Sequence, residues 1–438
     1  MKTVLERAKG SALDIVSFQS TPVGVMTPLP PHTKHIRSLY FSWQNWADIR
    51  GFSELDSGPL PLLRTLKIEH IEDISPGAMI PPSLLFSNAV DLREFKLSSR
   101  CSPFLNSFVF PNLTSFELSV ERVEGFRASQ LLDFLEASPI LQTVHVEILA
   151  DILFDDVPRE RAVILPSVES LSLVVSDGGP GYDLVTRISC PSIKRTSLTH
   201  KKDVDDVTLY NIFPAPALWD AIVRQYKKSP VEEVVLDFKM DRLYTRILTS
   251  SLTFKSPDAT VLTLYFEVST KDYNWVNSEA HFNTSVDDVY CGAFSGACRI
   301  IRDLPLLTNV KHLEIRHNAR VSEHTRVMPV ANEVGRLFKS LGPLPLENLT
   351  LRCCDMRPYF APSVVFPPIK ELRISHPLCP PREGFEADIV GLAESQHALG
   401  IPFEYMRVDM EELPKEMEER LKPWVGSGYC YSEKYYEY

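Results

Sequence analysis

A short pattern of hydrophobic and polar positions recurs along the chain, with the form apolar-x-x-apolar-x-apolar. It is first seen at Ile36-x-x-Leu39-x-Phe41, and the last of its thirteen occurrences is Phe403-x-x-Met406-x-Val408. Alternation of this kind predicts a short β-strand with one face on a hydrophobic core. Such a unit can bury its apolar face only against its neighbours, so the recurrence predicts a stack of units.

The spacing of the units indicates a class of repeat. The third apolar position of each unit falls at Phe41, Ile68, Leu97, Leu118, Val146, Leu173, Leu198, Leu236, Leu264, Ile315, Leu351, Ile374 and Val408. Eight of the twelve gaps between these positions lie within the period of about 20–29 residues that is typical of leucine-rich repeats. We therefore predict an α/β leucine-rich-repeat solenoid: a curved, irregular horseshoe with parallel strands on the concave side and helices and loops outside. An ordinary α/β domain of alternating strands and helices is the alternative.

Other signals lie between the predicted strands. Amphipathic segments with helix start and stop residues predict helices over 129–136, 217–226, 330–341 and 387–399. A proline stands before several strands, as in Phe110-Pro111-Asn112 and Leu165-Pro166-Ser167. Because proline disfavours helix in the residue before it, we expect it to deliver the chain to the strand in extended form. Thr196 occupies a place where the pattern calls for a larger apolar side chain.

The pattern divides the chain into three regions. Residues 1–30 are predicted to be an N-terminal cap or leader, and residues 31–410 the solenoid. Long gaps indicate insertions near 240–256 and 270–300; the first is either an irregular turn or an extra short strand, and the second either a binding loop or a disordered segment. Residues 411–438 are predicted to be an acidic, tyrosine-rich cap and tail, because a solenoid needs a polar cap over its terminal core.

Composition narrows the choice of partner and compartment. The net charge of −11 makes nucleic acid an unexpected main partner, because proteins that grip a phosphate backbone are usually basic. The sequence contains no run of about 18 apolar residues, so no membrane span is predicted. Eight cysteines without a C-x-x-C pair favour reduced thiols, and hence a cytoplasmic or nuclear protein. A monomer is expected.

Motifs that carry reaction chemistry are missing from the sequence. It contains neither G-x-S-x-G nor G-x-x-x-x-G-K-[ST], and Gly178-Gly179-Pro180-Gly181 is predicted to be a turn. Four histidines, His70, His200, His317 and His376, stand just past the last apolar position of a unit. Their units are too far apart for shared metal coordination, so we expect them to face solvent or a partner. No catalytic residue, cofactor or metal is predicted, and the chain is not expected to be an enzyme; an α/β enzyme with an unrecognised cleft is the alternative.

The polar positions of the strands are the candidate binding surface. They give the predicted concave face a basic end and a more acidic middle, which suits a partner of complementary charge. A row of ordinary solvated side chains is the alternative interpretation. The candidate partner-binding residues are Arg37, Arg64, Lys67, Arg93, Lys96, Glu117, His145, Glu169, Lys194, Arg195 and Glu232.

Two segments suggest a family. Phe110-Pro111-Asn112-Leu113-Thr114-Ser115-Phe116-Glu117-Leu118 and Leu306-Leu307-Thr308-Asn309-Val310-Lys311-His312-Leu313-Glu314-Ile315 resemble the divergent leucine-rich repeats of F-box proteins from mushroom-forming fungi. The opening segment 5–15 resembles the leader that follows the F-box in such proteins and ends in a first short strand. The resemblance covers nearly the whole chain.

The resemblance implies a role in selecting substrates for a cullin-type ubiquitin ligase. The F-box itself, a helical module that docks to the ligase adaptor, is expected to be absent from this sequence. The expected partner is therefore a protein, or a ubiquitination substrate, held by the repeats. A free-standing leucine-rich-repeat binding protein without a ligase role is the alternative.

Overall fold

A computed structural model of the chain forms two compact units, which are taken separately below. The first comprises residues 1–201 and 215–221, and the second residues 202–214 and 222–438. The structure describes residues 11–17, 30–43, 60–70, 89–99, 105, 108–121, 126–149, 152–154, 157–158, 161–175, 179–203, 231–240, 247–257, 261–269, 298, 301, 308–317, 327–353, 356–361, 364–375, 384–409, 415–426 and 428–431.

In the first unit the described strands build one main parallel sheet. Its strands, in spatial order, are β1 (Leu13–Ser17), β2 (Ile36–Trp43), β3 (Thr65–His70), β4 (Glu94–Ser99), β5 (Ser115–Glu121), β7 (Thr143–Leu149), β10 (Ser170–Val175) and β12 (Arg195–Asp203). Two short parallel pairs join β6 (Phe126–Arg127) to β8 (Ile152–Leu153) and β9 (Val163–Ile164) to β11 (Ile188–Ser189). A 3-10 helix (Pro30–His35) precedes β2, and the helices are α1 (Ala128–Glu136) and α2 (Gly179–Thr186).

In the second unit the described strands run in the spatial order β15-β14-β13-β16-β17-β18-β19-β20. Their bounds are β13 (Glu233–Met240), β14 (Ile247–Lys255), β15 (Val261–Ser269), β16 (His312–His317), β17 (Asn348–Cys353), β18 (Glu371–Ser375), β19 (Tyr405–Asp409) and β20 (Gly428–Tyr431). The helices are α3 (Val327–Leu341), α4 (Phe385–Ala398) and α5 (Lys415–Leu421). Within the described segments, no helix combines the length and the apolar character needed to cross a membrane.

The predicted class, α/β with a large and mostly parallel sheet, is confirmed. All thirteen third apolar positions fall in strands. The pairing register also aligns them: Ile68, Leu97 and Leu118 are direct partners on β3, β4 and β5, as are Ile315, Leu351 and Ile374 on β16, β17 and β18. Three predicted helices are present as α1, α3 and α4, whereas 217–226 lies outside the described residues.

Prolines before the strands belong to tight turns, contrary to the extended approach we expected. The amides of Leu63, Leu113 and Val168 donate to the carbonyls of residues three positions earlier, Leu60, Phe110 and Leu165, over 3.1–3.4 Å. In each turn the proline takes the second position, where its fixed φ is already suitable. The first and last residues of these turns are buried, so the turn aims two apolar side chains at the core before the strand begins.

The core of the first unit contains a cluster of phenylalanines. Phe95 and Phe116 are direct partners on β4 and β5, and their ring centroids lie 5.9 Å apart. Phe134 of α1 covers them, with its ring centroid 4.4 Å from that of Phe116. All three side chains are almost fully buried, and removing one such ring typically costs about 3–5 kcal/mol of stability. The cluster fixes α1 against the buried face of the sheet.

The parallel arrangement fails at one place. β14 pairs antiparallel with β13 on one side and with β15 on the other. Only residues 241–246 and 256–260 join these strands, and a parallel crossover needs about a dozen residues or more. The connections are therefore too short for β14 to run parallel to its neighbours. The strands that carry Leu236 and Leu264, β13 and β15, run in the same direction, with β14 between them. The segment near 240–256, left open between a turn and a strand, contains the nine-residue strand β14.

Two further local differences are found in the chain. Gly178-Gly179-Pro180-Gly181 was predicted to be a turn, but α2 begins at Gly179. Proline is tolerated there because amides in the first turn of a helix have no partner within the helix. Near the C-terminus, β20 adds a parallel strand beside β19, in a segment for which the sequence predicted only a tail.

Replacement of Thr196 by valine tests the packing of the row of buried side chains that crosses neighbouring strands on the core side of the sheet. Thr196 is the direct partner of Leu171 and is 3% exposed, and among the described residues its hydroxyl finds no hydrogen-bond partner. An unpaired buried hydroxyl costs about 1–3 kcal/mol, so Thr196→Val should raise the free energy of unfolding by about 1 kcal/mol in urea denaturation. Thr199→Val, at a half-buried position on the same strand, should change it little. A clear loss of stability in Thr196→Val would show that the hydroxyl is bonded.

Candidate functional site

The polar face of the first sheet begins with a row of residues at the starts of the strands: Arg37 is the second residue of β2, and the other members directly precede their strands. The members of this leading row are Arg37, Arg64, Arg93, Thr114, Gln142, Glu169 and Lys194. Each carbonyl in the row accepts from the next member's amide, as when Arg93 N donates to Arg64 O over 2.8 Å. Neighbouring strands are about 4.8 Å apart, so Arg37, Arg64 and Arg93 place three guanidinium groups side by side.

A second row of partly exposed residues crosses the middle of the same strands. The members of this middle row are Tyr40, Lys67, Lys96, Glu117, His145, Ser172 and Ser197. Lys96 and Glu117 are direct partners and form an ion pair across β4 and β5. Tyr40 donates a hydrogen bond to Glu69, and this bond raises the pKa of the Tyr40 hydroxyl.

Free basic charge is concentrated at one end of these rows. The guanidinium of Arg37 bonds to the Asp14 carboxylate, which holds the pKa of Asp14 below its ordinary value. Arg93 donates to the carbonyl of Asn112 over 3.2 Å. Arg64 and Lys67, in contrast, form no ion pair with any residue that the structure describes. Because a backbone carbonyl does not neutralise Arg93, this end of the face offers three cationic groups to a partner.

The structure gathers ten of the eleven candidate residues onto the first unit. Arg37, Arg64, Arg93, Glu169 and Lys194 belong to the leading row, and Lys67, Lys96, Glu117 and His145 to the middle row. Arg195 is the first residue of β12. Glu232 is the exception, because it lies in the second unit, where it is paired with Lys311 over 3.1 Å.

One carboxylate on this face, that of Glu147, is largely buried and ion-paired. Glu147, on β7, accepts from Lys201 Nζ at 2.8 Å and from Ser119 Oγ at 3.0 Å, and its side chain is 20% exposed. Burial by itself would raise the pKa of this carboxyl. The hydrogen bonds from Lys201 and Ser119, aided by the charge of Lys201, outweigh burial and hold the pKa below its ordinary value.

The second unit has a leading row of alternating charge. Its members, which again directly precede the strands, are Glu232, Lys311, Glu347, Lys370 and Glu404. Lys311 is paired with Glu232, and Lys370 with Glu347 at 3.4 Å. This row neutralises itself, so it offers less net charge to a ligand than the basic end of the first unit does.

Two arginine–carboxylate triads lie on the polar face of the second sheet. In the Glu314 triad, Glu314 accepts from Arg316 Nε at 2.9 Å on its own strand and lies 2.7 Å from Arg352 Nε on the next strand. In the Asp409 triad, Asp409 accepts from Arg407 Nε at 2.7 Å on its own strand and from Arg373 at 2.9 Å on the neighbouring strand. Each triad therefore clamps one carboxylate between two guanidinium groups.

The carboxylates of the triads are more buried than their arginines. The carboxylate side chains are only 15% exposed at Glu314 and 9% at Asp409, whereas the four arginines retain between 23% and 37% exposure. The acids therefore lie beneath and the guanidinium groups above, facing solvent. The hydrogen bonds to Glu314 raise the pKa of Arg316, so its positive charge is secure at any physiological pH.

None of the triad residues was among the candidates from sequence. Part of the signal was present, because Arg373 and Arg407 occupy polar positions of the recurring pattern, and Arg316 and Arg352 directly follow its last apolar position. Which arginine shares which carboxylate depends on register between strands that are far apart in the chain. That register is visible only in the folded sheet.

The expectation that His317 faces solvent or a partner is wrong. Its side chain is fully buried at the end of β16, and its ring centroid lies 6.3 Å from that of Tyr359. The alternation of the strand explains this, because Leu313, Ile315 and His317 share one side of β16. Side-chain placement at His70 and His200 and all of His376 lie outside the described residues.

Metal binding and thiol catalysis find no support among the described residues. Within the described segments, no set of three histidine, cysteine or acidic residues is arranged to hold a metal ion. Burial raises the pKa of the Cys190 thiol to about 12, which makes it a poor nucleophile. Cys298 and Cys353 are also buried free thiols.

No protein-family model and no curated protein matches this chain. The surfaces described above therefore have to be interpreted from their own chemistry.

Replacement of Glu147 by glutamine tests the ion pair between Glu147 and Lys201. Because the folded-state pKa of Glu147 lies below its ordinary value, its contribution is present above about pH 4.5 and is lost as the pH falls through the folded-state pKa. Glu147→Gln should lower the free energy of unfolding by about 1 kcal/mol at neutral pH, measured by urea denaturation.

This deficit should shrink in acid, where the wild-type carboxyl also becomes neutral. Glu94→Gln, at the exposed first position of β4, is the matched control. It should change the free energy of unfolding little at either pH. A deficit in Glu147→Gln that persists unchanged in acid would contradict the assignment.

Proposed function

We propose that the chain is a protein-binding module of the leucine-rich-repeat type, which holds a partner on the polar face of its sheets. The observation that carries this proposal is the basic end of the first unit. There, two adjacent rows place Arg37, Arg64, Arg93, Lys67 and Lys96 on three neighbouring strands. Such a concentration of positive charge on a chain of net charge −11 suits an acidic protein surface.

Regular backbone geometry supports the repeat interpretation. The pattern strands pair in register, and successive units of the first sheet begin with the same hydrogen-bonded turn. Arrays of this kind bind partners through broad surfaces made by side chains from many units. The solenoid shape belongs to this proposal and follows from stacking units that differ by a small rotation.

The biological use proposed for this surface is substrate selection for a cullin-type ubiquitin ligase in the cytoplasm or nucleus. It rests on the resemblance of segments such as 110–118 and 306–315 to the repeats of fungal F-box proteins. In that role the polar face would hold the substrate. No step of this role requires a cofactor.

Affinity purification with a charge-reversed variant tests the proposal. The full chain and its Arg64→Glu/Lys67→Glu variant are tagged and expressed in fungal cells, and co-purified proteins are quantified by mass spectrometry. We expect the variant to retain about tenfold less of its specific partners, because two of the cationic groups that lack ion pairs among the described residues become anionic.

A matched control separates the surface from the overall charge. Arg336→Glu/Lys339→Glu produces the same change in net charge at two exposed positions of α3, and it should retain the partners. Recovery of a cullin and its adaptor would support the ligase role, whereas specific partners without them would support a free-standing binder. Equal recovery of all proteins by the patch variant and the wild type would contradict the proposal.

A further inference from the structure

The two arginine–carboxylate triads suggest a second and more specific binding site. They lie on four consecutive parallel strands, β16 to β19, and their six residues occupy two neighbouring rows of the same face. Arg316 and Arg352 are direct partners in one row, and Arg373 and Arg407 are direct partners in the other. The four guanidinium groups therefore form one continuous patch.

The hydrogen bonds within the triads orient the arginines. Arg407 uses Nε on Asp409, which leaves both of its terminal nitrogens without a partner among the described residues. Arg316 uses Nε and Nη2 on Glu314, which leaves Nη1. A guanidinium held on one edge presents the other edge in a fixed direction, and this fork matches the oxygen spacing of a carboxylate or phosphoryl group.

The charges of the patch favour binding of a single anionic group over binding of a continuous polyanion. The charges of Asp237 and Glu233 are also felt at Arg316, and Glu233 is paired with Lys255. The four arginines and Lys255 therefore exceed the four carboxylates of Glu314, Asp409, Asp237 and Glu233 by one charge. A single oxyanion contacts the guanidinium groups above the buried acids. A continuous phosphate backbone would also have to pass over the negative charges, which disfavours nucleic acid.

From this geometry we infer that the two triads bind an acidic segment of a protein partner through its carboxylate or phosphoryl oxygens. The span from β16 to β19 is three strand spacings, or about 14 Å, which an extended peptide covers with about four to five residues. This inference rests on the proposed function, because it assigns one site on the partner-binding face and the chemical class of the segment that it takes.

A binding assay on the purified full chain tests it without any cellular partner. Fluorescein-labelled hexaglutamate, a phosphoserine peptide of the same length, hexalysine and single-stranded oligothymidine are titrated with the protein, and anisotropy is measured at low and high salt. We expect the glutamate and phosphoserine peptides to bind in a salt-sensitive manner, and hexalysine to bind far more weakly at this site. Tighter binding of the phosphoserine peptide than of hexaglutamate would identify the phosphoryl group as the better source of the oxyanion.

Variants locate the binding. Arg407→Gln should weaken binding of the acidic peptides by about tenfold, since a charge-assisted hydrogen-bonded pair is lost. Arg407→Lys keeps the charge but not the fork, so it should fall between the glutamine variant and the wild type. Arg336→Gln is the matched control, because this arginine lies on α3, is 67% exposed and should leave binding unchanged.

Thermal unfolding of each variant shows whether the site is intact, and Arg316→Gln gives an independent second test on the other triad. Equal peptide affinity in the wild type, Arg407→Gln and Arg316→Gln would overturn the inference, as would tighter binding of oligothymidine than of the acidic peptides. If the Arg64→Glu/Lys67→Glu variant captured the same proteins as the wild type, the proposed function would fail but the peptide result would be unaffected. Failures of the two proposals are therefore distinguishable.

Discussion

Burial of aligned apolar rows beneath one face of a parallel sheet is the interaction on which the rest of this structure depends. A strand of six residues such as β3 is too short to be stable by itself. Its apolar side chains become buried because register places Ile68 beside Leu97, and Leu97 beside Leu118. Since side chains alternate along a strand, the same register necessarily arranges the polar residues in rows on the opposite face.

Those polar rows raise an electrostatic problem that the two units solve differently. Like charges on adjacent strands stand only about 4.8 Å apart, where they repel one another. The second unit places a largely buried carboxylate between neighbouring arginines, as with Glu314 between Arg316 and Arg352. The first unit instead leaves Arg64 and Lys67 without an ion pair among the described residues. In the second unit most of the arginine charge is therefore balanced by buried carboxylates, whereas the first unit keeps basic groups without such a partner.

The sequence predicts much of this fold because the dominant signal is local. Thirteen strands follow from alternation alone, and three helices from amphipathic segments with clear stops. The segment of β14 was left open between a turn and a strand, and its antiparallel direction was not predicted because alternation carries no information on direction, although the short connections around it do. His317 was misjudged for a similar reason, because its place after the last apolar position was given more weight than the side of the strand on which it lies.

The functional surfaces were less predictable. The sequence places Arg64 and Lys67 at polar positions, and this is enough to nominate them. It does not show that Glu147 is held by Lys201, 54 residues away in the chain, or that Asp409 joins Arg373 to Arg407. Such contacts depend on register, on side-chain conformation and on burial together, and none of these is encoded in a short window of residues.

The leading rows have a consequence for how such a protein changes over generations. At these positions the carbonyl joins the strands, as when Arg64 O accepts from both Arg93 N and Glu94 N, and Glu347 O from both Lys370 N and Glu371 N. The backbone bond is the same whether the side chain is an arginine or a glutamate. Substitution there alters what the surface attracts while the hydrophobic interior stays as it is. Recognition can therefore drift freely in a lineage without loss of the fold, and two copies of one ancestral gene could acquire different partners by changes at these few positions alone.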